Sequence, residues 1–172
     1  MDQTMTALAS QVGARLQARR WMLAAAESCT GGWVAAALTA IAGSSTWFER
    51  GFVTYSNEAK TEMLGVPREL IERHGAVSEE VARAMVQGAL RHSRAQIALS
   101  ITGVAGPGGG TLTKPVGLVW FGWASGNLSQ VVETKQFPGD RDAVRRAAVM
   151  HALHGVLAQL EKPVESAVHP YN

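Results

Sequence analysis

Cysteine is nearly absent from this chain, since Cys29 is the single cysteine among 172 residues. No intramolecular disulfide can form, which excludes a disulfide-stabilised secreted scaffold. The sequence also lacks an apolar run of membrane-spanning length and a charged-then-apolar signal segment. We therefore expect a cytoplasmic protein that has no membrane partner.

Charge is scarce as well, at 17% of the residues, and its two signs nearly balance. Lysine and arginine number 16 against 14 acidic residues, which gives a net charge of +2, and no long basic run occurs. Without a basic patch or stripe, a nucleic-acid partner is not expected. The hydrophobic content of 47% is typical of a globular protein, and we expect one domain over 1–172 with a frayed tail from about 162.

Apolar periodicity predicts helices and strands that alternate along most of the chain. The predicted helices lie at 1–20, 30–41, 58–64, 69–74, 78–93 and 140–160. The predicted strands lie at 21–27, 48–56, 95–102, 116–124 and 130–137, with a hairpin turn around 125–127. Interleaved strands and helices predict an α/β fold with helices on both faces of a sheet, and the hairpin predicts that the sheet is mixed.

The most informative stretch is 24–32, where a strand pattern passes directly into a helix pattern. Such a junction leaves backbone N–H groups without partners, and the helix dipole adds positive charge there. Every residue from Ser28 to Gly32 is small, so a ligand can approach the Ser28 hydroxyl, the Cys29 thiol and the amides. These features indicate a nucleophile beside an anion site. The alternative is an ordinary turn in which Ser28 or Thr30 caps the helix.

A second candidate lies at 55–60, where a predicted strand ends and a helix begins. Lys60 falls in the first helical turn, and the positive end of the dipole should lower its pKa. A lysine with a lowered pKa can deprotonate a serine hydroxyl when no histidine is available. We expect Tyr55 to hold or pass the proton between Lys60 and Ser28. Alternatively, Lys60 is a solvated surface residue and Tyr55 packs on the sheet.

A glycine-rich loop at 103–115 follows the predicted central strand, which is where open α/β sheets bind ligands. Its successive amides can form an anion-binding nest, although the loop fits neither a P-loop nor a dinucleotide fingerprint. Arg141 and Arg145 are four residues apart on one helix face, where they can clamp a phosphate. The alternatives are a flexible connection for the loop and solvated or acid-paired arginines.

Two further patterns carry less weight. His151 and His154 are three residues apart, but no third ligand is evident, so neither a metal nor a cofactor is expected. Cys29 is an alternative nucleophile to Ser28, but no histidine partner falls at a suggestive spacing. A pair formed by Ser28 and Lys60 needs fewer assumptions.

Six short motifs occur in order along the chain: AESCTGG at 26–32, YSNEAK at 55–60, LGV at 64–66, HGAVS at 74–78, TGVAGP at 102–107 and KPVG at 114–117. Together they resemble the C-terminal domain of the competence/damage-inducible protein CinA, over about residues 5–160. The resemblance implies a three-layer α/β/α sandwich with a mixed, mostly parallel sheet. Because this domain also occurs alone as nicotinamide-nucleotide amidase, the resemblance implies hydrolysis of nicotinamide mononucleotide to nicotinic acid mononucleotide and ammonia, in pyridine nucleotide salvage.

By the same resemblance, the family's catalytic serine, tyrosine and lysine fall on Ser28, Tyr55 and Lys60, with no metal or cofactor required. A small-molecule nucleotide is the implied partner, and self-association as a homodimer is expected. We expect ten residues to contact the substrate: Glu27, Thr30, Gly31, Gly32, Thr102, Gly103, Ala105, Gly106, Arg141 and Arg145. Two alternatives stay open, another small-amide hydrolase and a nucleotide-binding regulatory module without turnover.

Overall fold

The computed structural model describes residues 2–126 and 130–163, which form an α/β domain. The helices are α1 (Gln3–Arg19), α2 (Trp33–Thr39), α3 (Asn57–Leu64), α4 (Arg68–His74), α5 (Glu79–Arg91) and α6 (Arg141–Glu161). The strands are β1 (Leu23–Glu27), β2 (Phe48–Val53), β3 (Ile97–Gly103), β4 (Leu118–Ser125) and β5 (Val131–Gln136).

The five strands form one mixed sheet in the order β2-β1-β3-β4-β5. Strand β1 pairs in parallel with β2 and β3, whereas β4 is antiparallel to both β3 and β5. Within the described residues, four strands therefore run in one direction and β4 runs against them. The antiparallel end arises because β3, β4 and β5 are joined without crossover helices. The expected three-layer α/β/α sandwich with a mixed, mostly parallel sheet is confirmed.

Two apolar cores lie on opposite faces of this sheet. Ala25 of β1 packs in the core formed with α1, α2 and α6, while Ala24 and Ala26 pack in the core formed with α3, α4 and α5. All five residues of β1 are buried, because the strand is central and covered on both faces. The residues that follow the carboxyl end of β1 therefore start from a buried position between the two helical layers.

The helix predicted at 30–41 is shorter in the structure, where α2 covers Trp33–Thr39. The preceding residues form a turn instead, closed by the Gly31 amide, which donates to the Ser28 carbonyl oxygen at 3.0 Å. Gly31 and Gly32 have φ angles of 59° and 98°, a region that residues with a Cβ seldom adopt. Two glycines thus turn the chain sharply between β1 and α2.

The strand predicted at 48–56 ends at Val53, so residues 54–56 form an irregular segment beside that turn. Helix α3 begins at Asn57 because the Ser56 hydroxyl accepts a hydrogen bond from the Ala59 amide at 3.0 Å. The end of β2 and the capped start of α3 together determine the position of Lys60 relative to the sheet.

Two expectations fall partly on residues outside the described ones. The hairpin turn at 125–127 includes position 127, and most of the tail expected from about 162 lies beyond 163. In the described parts of the chain, no helix has the length and apolarity needed to cross a membrane.

Candidate active site

The carboxyl ends of the three parallel strands bring the predicted motifs together at one edge of the sheet. Ser28 follows β1 directly, Tyr55 follows β2 after one residue, and Gly103 ends β3. Open α/β sheets bind ligands at this edge, and here it carries a pocket of about 210 Å³. The pocket is lined by Ser28, Cys29, Tyr55, Asn57, Lys60, Ala76, Val77, Thr102, Gly103, Ala105 and Arg141.

Lys60 reaches this pocket from helix α3 and is almost completely buried, with 1% of its surface exposed. Its Nζ atom lies 3.0 Å from Ser28 Oγ, 2.9 Å from the Thr54 carbonyl oxygen and 3.5 Å from the Tyr55 carbonyl oxygen. A neutral amine has two N–H groups and one lone pair. The two carbonyls accept from those N–H groups, and the hydroxyl is the neighbour that can donate to the lone pair. The geometry therefore accommodates a neutral lysine whose lone pair faces the Ser28 hydroxyl.

Burial lowers the pKa of Lys60, because an ammonium loses hydration inside the protein. Among the described residues, no carboxylate lies within ion-pair distance of the Lys60 ammonium to offset that loss. The sequence predicted the direction of this shift but assigned it to the helix dipole, whereas desolvation is the larger cause. The alternative of a solvated surface lysine is wrong.

The turn after Ser28 offers backbone N–H donors beside the nucleophile. The Ser28 amide donates to the Ile101 carbonyl, and the Gly31 amide donates to the Ser28 carbonyl, each at 3.0 Å. Within the described chain, the amides of Cys29 and Thr30 have no oxygen acceptor. These two amides, which follow Ser28 directly, are free to donate to a negatively charged oxygen bound beside its hydroxyl.

Glu27 lies behind the turn and not in the pocket. Its carboxylate is fully buried and accepts hydrogen bonds from the Thr30 hydroxyl at 2.7 Å, the Val34 amide at 2.8 Å and the Ala35 amide at 3.1 Å. Glu27 thus supplies the side-chain acceptor that the N-cap of α2, Gly32, cannot provide. The described pocket lining includes none of Glu27, Thr30, Gly31 and Gly32. For the Glu27 and Thr30 side chains, which are bonded to each other behind the turn, this is a correction to the expected substrate contacts. Contact through the backbone amides of the turn stays a prediction.

Tyr55 lines the pocket, but its side chain is not between Lys60 and Ser28. Tyr55 is 61% exposed, and its hydroxyl accepts a hydrogen bond from Arg141 Nη2 at 3.1 Å. Lys60 uses the backbone carbonyl of Tyr55 instead, and it contacts Ser28 directly. The expected proton relay through Tyr55 is not formed in this structure, where the hydroxyl belongs to the outer wall of the pocket. A role for Tyr55 in catalysis stays a prediction.

The two arginines of α6 have different surroundings, although they share a helix face. Arg141 donates from Nη1 to the Gly106 carbonyl at 2.8 Å and lines both the pocket and a neighbouring groove of about 540 Å³. Arg145 donates from Nε to the Cys29 carbonyl at 3.0 Å and from Nη2 to the Thr30 carbonyl at 3.1 Å. It does not line the pocket. A clamp formed by both arginines therefore does not match the described geometry, and a phosphate contact by Arg141 stays a prediction.

The glycine-rich loop contributes its first residues to the pocket. Thr102, Gly103 and Ala105 line it, and the Thr102 hydroxyl donates to the Ala76 carbonyl at 2.8 Å. A Cβ at Gly103 would lie 2.9 Å from the Leu118 carbonyl oxygen, so β4 packs too closely for a side chain there. Gly106 is not among the lining residues and instead holds Arg141 through its carbonyl. The described loop is thus a wall of the pocket and an anchor for an arginine.

Four lining residues were not singled out as contacts from the sequence, namely Cys29, Asn57, Ala76 and Val77. Each falls within one of the six motifs, so motif membership was the available signal. For Cys29, burial raises the pKa of the thiol to about 11. Since the thiolate is the reactive form, Cys29 is a poor nucleophile at neutral pH.

No group of three or more histidine, cysteine, aspartate or glutamate side chains that could hold a metal ion occurs in the described structure. The His151 ring is hydrogen-bonded to Glu133, with 2.5 Å between His151 Nε2 and Glu133 Oε1.

Comparison with known proteins identifies the family of this chain. The family model described as the CinA C-terminal domain matches residues 5–160. The chain is 54% identical to the nicotinamide-nucleotide amidohydrolase PncC of Escherichia coli K12 over 92% of this chain and 96% of that protein. It is 52% identical to the PncC of Pseudomonas putida, over 88% and 94% of the respective chains.

A solved structure from Agrobacterium tumefaciens, the competence/damage inducible protein CihA, is similar in fold. It superposes with a TM-score of 0.91 at 42% identity, covering 94% of this chain and 98% of that one. The shared motifs, the matching fold and the extent of the similarity lead to one conclusion: this chain belongs to the CinA C-terminal domain family.

Proposed function

We propose that this protein is an amidohydrolase that converts nicotinamide mononucleotide to nicotinic acid mononucleotide and ammonia, a step of pyridine nucleotide salvage. The observation that carries the proposal is the direct contact of a buried lysine, Lys60, with the Ser28 hydroxyl at the floor of a pocket. The names of the relatives, which are nicotinamide-nucleotide amidohydrolases, indicate the substrate.

In the acylation step, neutral Lys60 takes the proton of Ser28 as Oγ forms a bond to the carboxamide carbon. The π electrons of the carbonyl move to its oxygen, which becomes an oxyanion bound by the Cys29 and Thr30 amides. The oxyanion then reforms the carbonyl, the C–N bond breaks, and the leaving nitrogen takes the proton from Lys60. Ammonia departs and an ester of Ser28 remains.

In the deacylation step, water replaces ammonia. Lys60 is neutral again and takes a proton from the water while the water oxygen attacks the ester carbon. The second tetrahedral intermediate breaks the bond to Ser28 Oγ, and the proton on Lys60 returns to that oxygen. The products are the free Ser28 hydroxyl and the carboxylic acid of nicotinic acid mononucleotide, which releases its proton to solvent and becomes the carboxylate.

The nucleotide part of the substrate lies toward Arg141. Arg141 lines the catalytic pocket and the adjoining groove, whose other lining residues are Ala105, Pro107, Val116, Gly139, Asp140 and Asp142. A guanidinium binds phosphate oxygens through charge-assisted hydrogen bonds. A pyridine ring at Ser28 with its ribose phosphate extending past Arg141 therefore uses both cavities.

Ammonia release by the purified protein tests the proposal, with nicotinamide mononucleotide, nicotinamide riboside and free nicotinamide compared side by side. Turnover of the mononucleotide that disappears in Ser28→Ala supports it. Equal turnover of free nicotinamide would indicate a general small-amide hydrolase. Tight binding of the mononucleotide without ammonia release would indicate a regulatory module.

Self-association is a separate prediction. The resemblance implies a homodimer, and light scattering coupled to size-exclusion chromatography measures it. A mass equal to that of one chain across the micromolar range would contradict the expectation.

A further inference from the structure

Arg145 is hydrogen-bonded to the backbone of the turn that follows Ser28. Its guanidinium donates to two successive carbonyls, those of Cys29 and Thr30, across more than a hundred residues of chain. The same guanidinium lies over the Trp33 ring, 5.4 Å from its centroid. Two hydrogen bonds and an aromatic contact therefore hold this arginine in one place.

The carbonyl contacts also determine where the amides of the turn point. The peptide bond between Cys29 and Thr30 is trans and planar, so its N–H points away from its carbonyl. Since Arg145 binds the Cys29 carbonyl, the Thr30 N–H points away from the guanidinium. The preceding peptide is fixed in the same manner, because the Ser28 carbonyl accepts from the Gly31 amide and leaves the Cys29 N–H on the other side.

A bound cation has a second effect on these peptides. A positive charge at a carbonyl oxygen polarises the peptide group, which makes its N–H a stronger donor. The peptide groups concerned carry the Thr30 and Gly31 amides. The Thr30 amide has no oxygen acceptor among the described residues, and the Gly31 amide donates to the Ser28 carbonyl, which belongs to the peptide group of the Cys29 amide.

Resting on the function proposed above, we infer that Arg145 is a positioning residue for the amides that bind the oxyanion formed when Ser28 attacks the carboxamide. It orients and polarises the Thr30 amide directly, and it orients the Cys29 amide through the Gly31 hydrogen bond to the Ser28 carbonyl. Arg145 touches neither the substrate nor the reacting atoms. It acts through the turn, and its helix neighbour Arg141 meets the nucleotide. The two arginines therefore affect different stages of the reaction.

Matched variants separate these roles. In Arg145→Met, kcat should fall about 10-fold or more, approaching the ~10²–10³ that loss of an oxyanion donor costs. The loss should be the same on nicotinamide mononucleotide and nicotinamide riboside, with KM nearly unchanged. In Arg141→Met, the loss should be confined to the mononucleotide. A loss on the mononucleotide alone in Arg145→Met would make Arg145 a phosphate ligand and overturn the proposal, as would an unchanged kcat.

A transition-state readout excludes a merely structural role. The mononucleotide with an aldehyde in place of the carboxamide forms a hemiacetal with Ser28, whose oxygen occupies the oxyanion position. Arg145→Met should weaken this analogue by the same factor as kcat/KM, while leaving the affinity for the mononucleotide in a Ser28→Ala background unchanged. Equal weakening of both ligands would indicate general damage and overturn the proposal.

Two controls keep the inference testable if Arg145→Met is unstable or the substrate is wrong. Arg145→Ala supplied with millimolar guanidinium should regain part of its kcat, and absence of rescue in a variant with wild-type melting temperature counts against the proposal. The rate at which phenylmethylsulfonyl fluoride labels Ser28 should also fall in the Arg145 variants. That rate does not depend on the natural substrate, so it distinguishes failure of this inference from failure of the proposed function.

Discussion

The Nζ atom of Lys60 lies 3.0 Å from the Oγ atom of Ser28, and both side chains are buried. The two residues come from different elements, since Ser28 ends the central strand β1 and Lys60 lies in α3 beyond the neighbouring strand β2. Parallel pairing of these strands places their carboxyl ends side by side. The sheet topology thus places the two side chains together, and burial favours the neutral form of the lysine, which is the form that can accept a proton.

Replacement of Ser28 by alanine should abolish turnover while substrate binding and fold stay nearly intact. Removing one hydroxyl at a turn of small residues disturbs little packing. Loss of a serine nucleophile in other hydrolases costs about 10⁶ in kcat, and we expect a loss of several orders of magnitude here. Ammonia release and calorimetric binding of the mononucleotide measure the two effects. Cys29→Ala is the control and should stay active; the reverse pattern would assign the nucleophile to Cys29.

Replacement of Lys60 by methionine should also abolish turnover, because no other base contacts the Ser28 hydroxyl in the described structure. In the wild type, kcat/KM should rise with pH as Lys60 loses its proton. The midpoint should lie below the ordinary lysine value of 10.5, because burial lowers the pKa. Steady-state rates across pH measure it, with Lys60→Arg as the second variant. Near-full activity of Lys60→Arg would exclude Lys60 as a base.

The buried lysine should also leave a signature in protein stability. Burial lowers the pKa of Lys60, so between the lowered and the ordinary value the unfolded chain binds more protons than the folded one. Stability therefore rises with pH through that window, and this contribution is lost as pH falls through the lowered pKa. From pH 7 to about pH 10, the free energy of unfolding should shift in favour of wild type relative to Lys60→Met. Urea titrations measure it, and a pH-independent difference would contradict the assignment.

Much of this site followed from the sequence because strand–helix junctions carry strong local signals. The small residues from Ser28 to Gly32 and the helix start before Lys60 are visible without coordinates, and they predicted a serine–lysine pair. That Lys60 is buried required the tertiary structure, since nothing local shows that α3 packs against the sheet. The cause of its lowered pKa was therefore misassigned to the dipole.

The contacts of the long polar side chains were less predictable. Residues four apart on a helix share a face, which correctly grouped Arg141 with Arg145. They are one turn apart, however, so Arg141 meets the Gly106 carbonyl while Arg145 meets the turn at Cys29. Glu27 adjoins Ser28 in sequence, yet its carboxylate turns toward the amides of α2. The direction of these three side chains depends on the backbone amides and carbonyls that lie within their reach in the folded protein.

Tyr55→Phe should retain most of the activity, because Lys60 contacts Ser28 directly and uses only the Tyr55 backbone carbonyl. The variant removes the hydroxyl that accepts from Arg141 Nη2. Loss of one exposed hydrogen bond should cost about 0.5–1.5 kcal/mol in kcat/KM, mostly through KM. Steady-state kinetics on the mononucleotide measure this. A fall in kcat comparable to that of Lys60→Met would restore the proton relay through Tyr55.

Arg141 should supply much of the discrimination for the 5′-phosphate. It is the arginine that lines the described pocket, and the groove beside it is large enough for a ribose phosphate. Arg141→Ala should lower kcat/KM for nicotinamide mononucleotide by about 1.5–3 kcal/mol, the range for a hydrogen bond to a charged group. Activity on nicotinamide riboside should barely change, because that substrate has no phosphate to lose contact with.

Comparing two substrates in one variant separates two effects of removing Arg141. Arg141 also donates to the Gly106 carbonyl and the Tyr55 hydroxyl, so its removal can loosen the pocket wall as well as remove a charge. Loosening affects both substrates equally, whereas a lost phosphate contact affects only the mononucleotide. Equal losses would therefore make Arg141 structural. Efficient hydrolysis of free nicotinamide by the wild type would remove the phosphate site altogether and leave a general small-amide hydrolase.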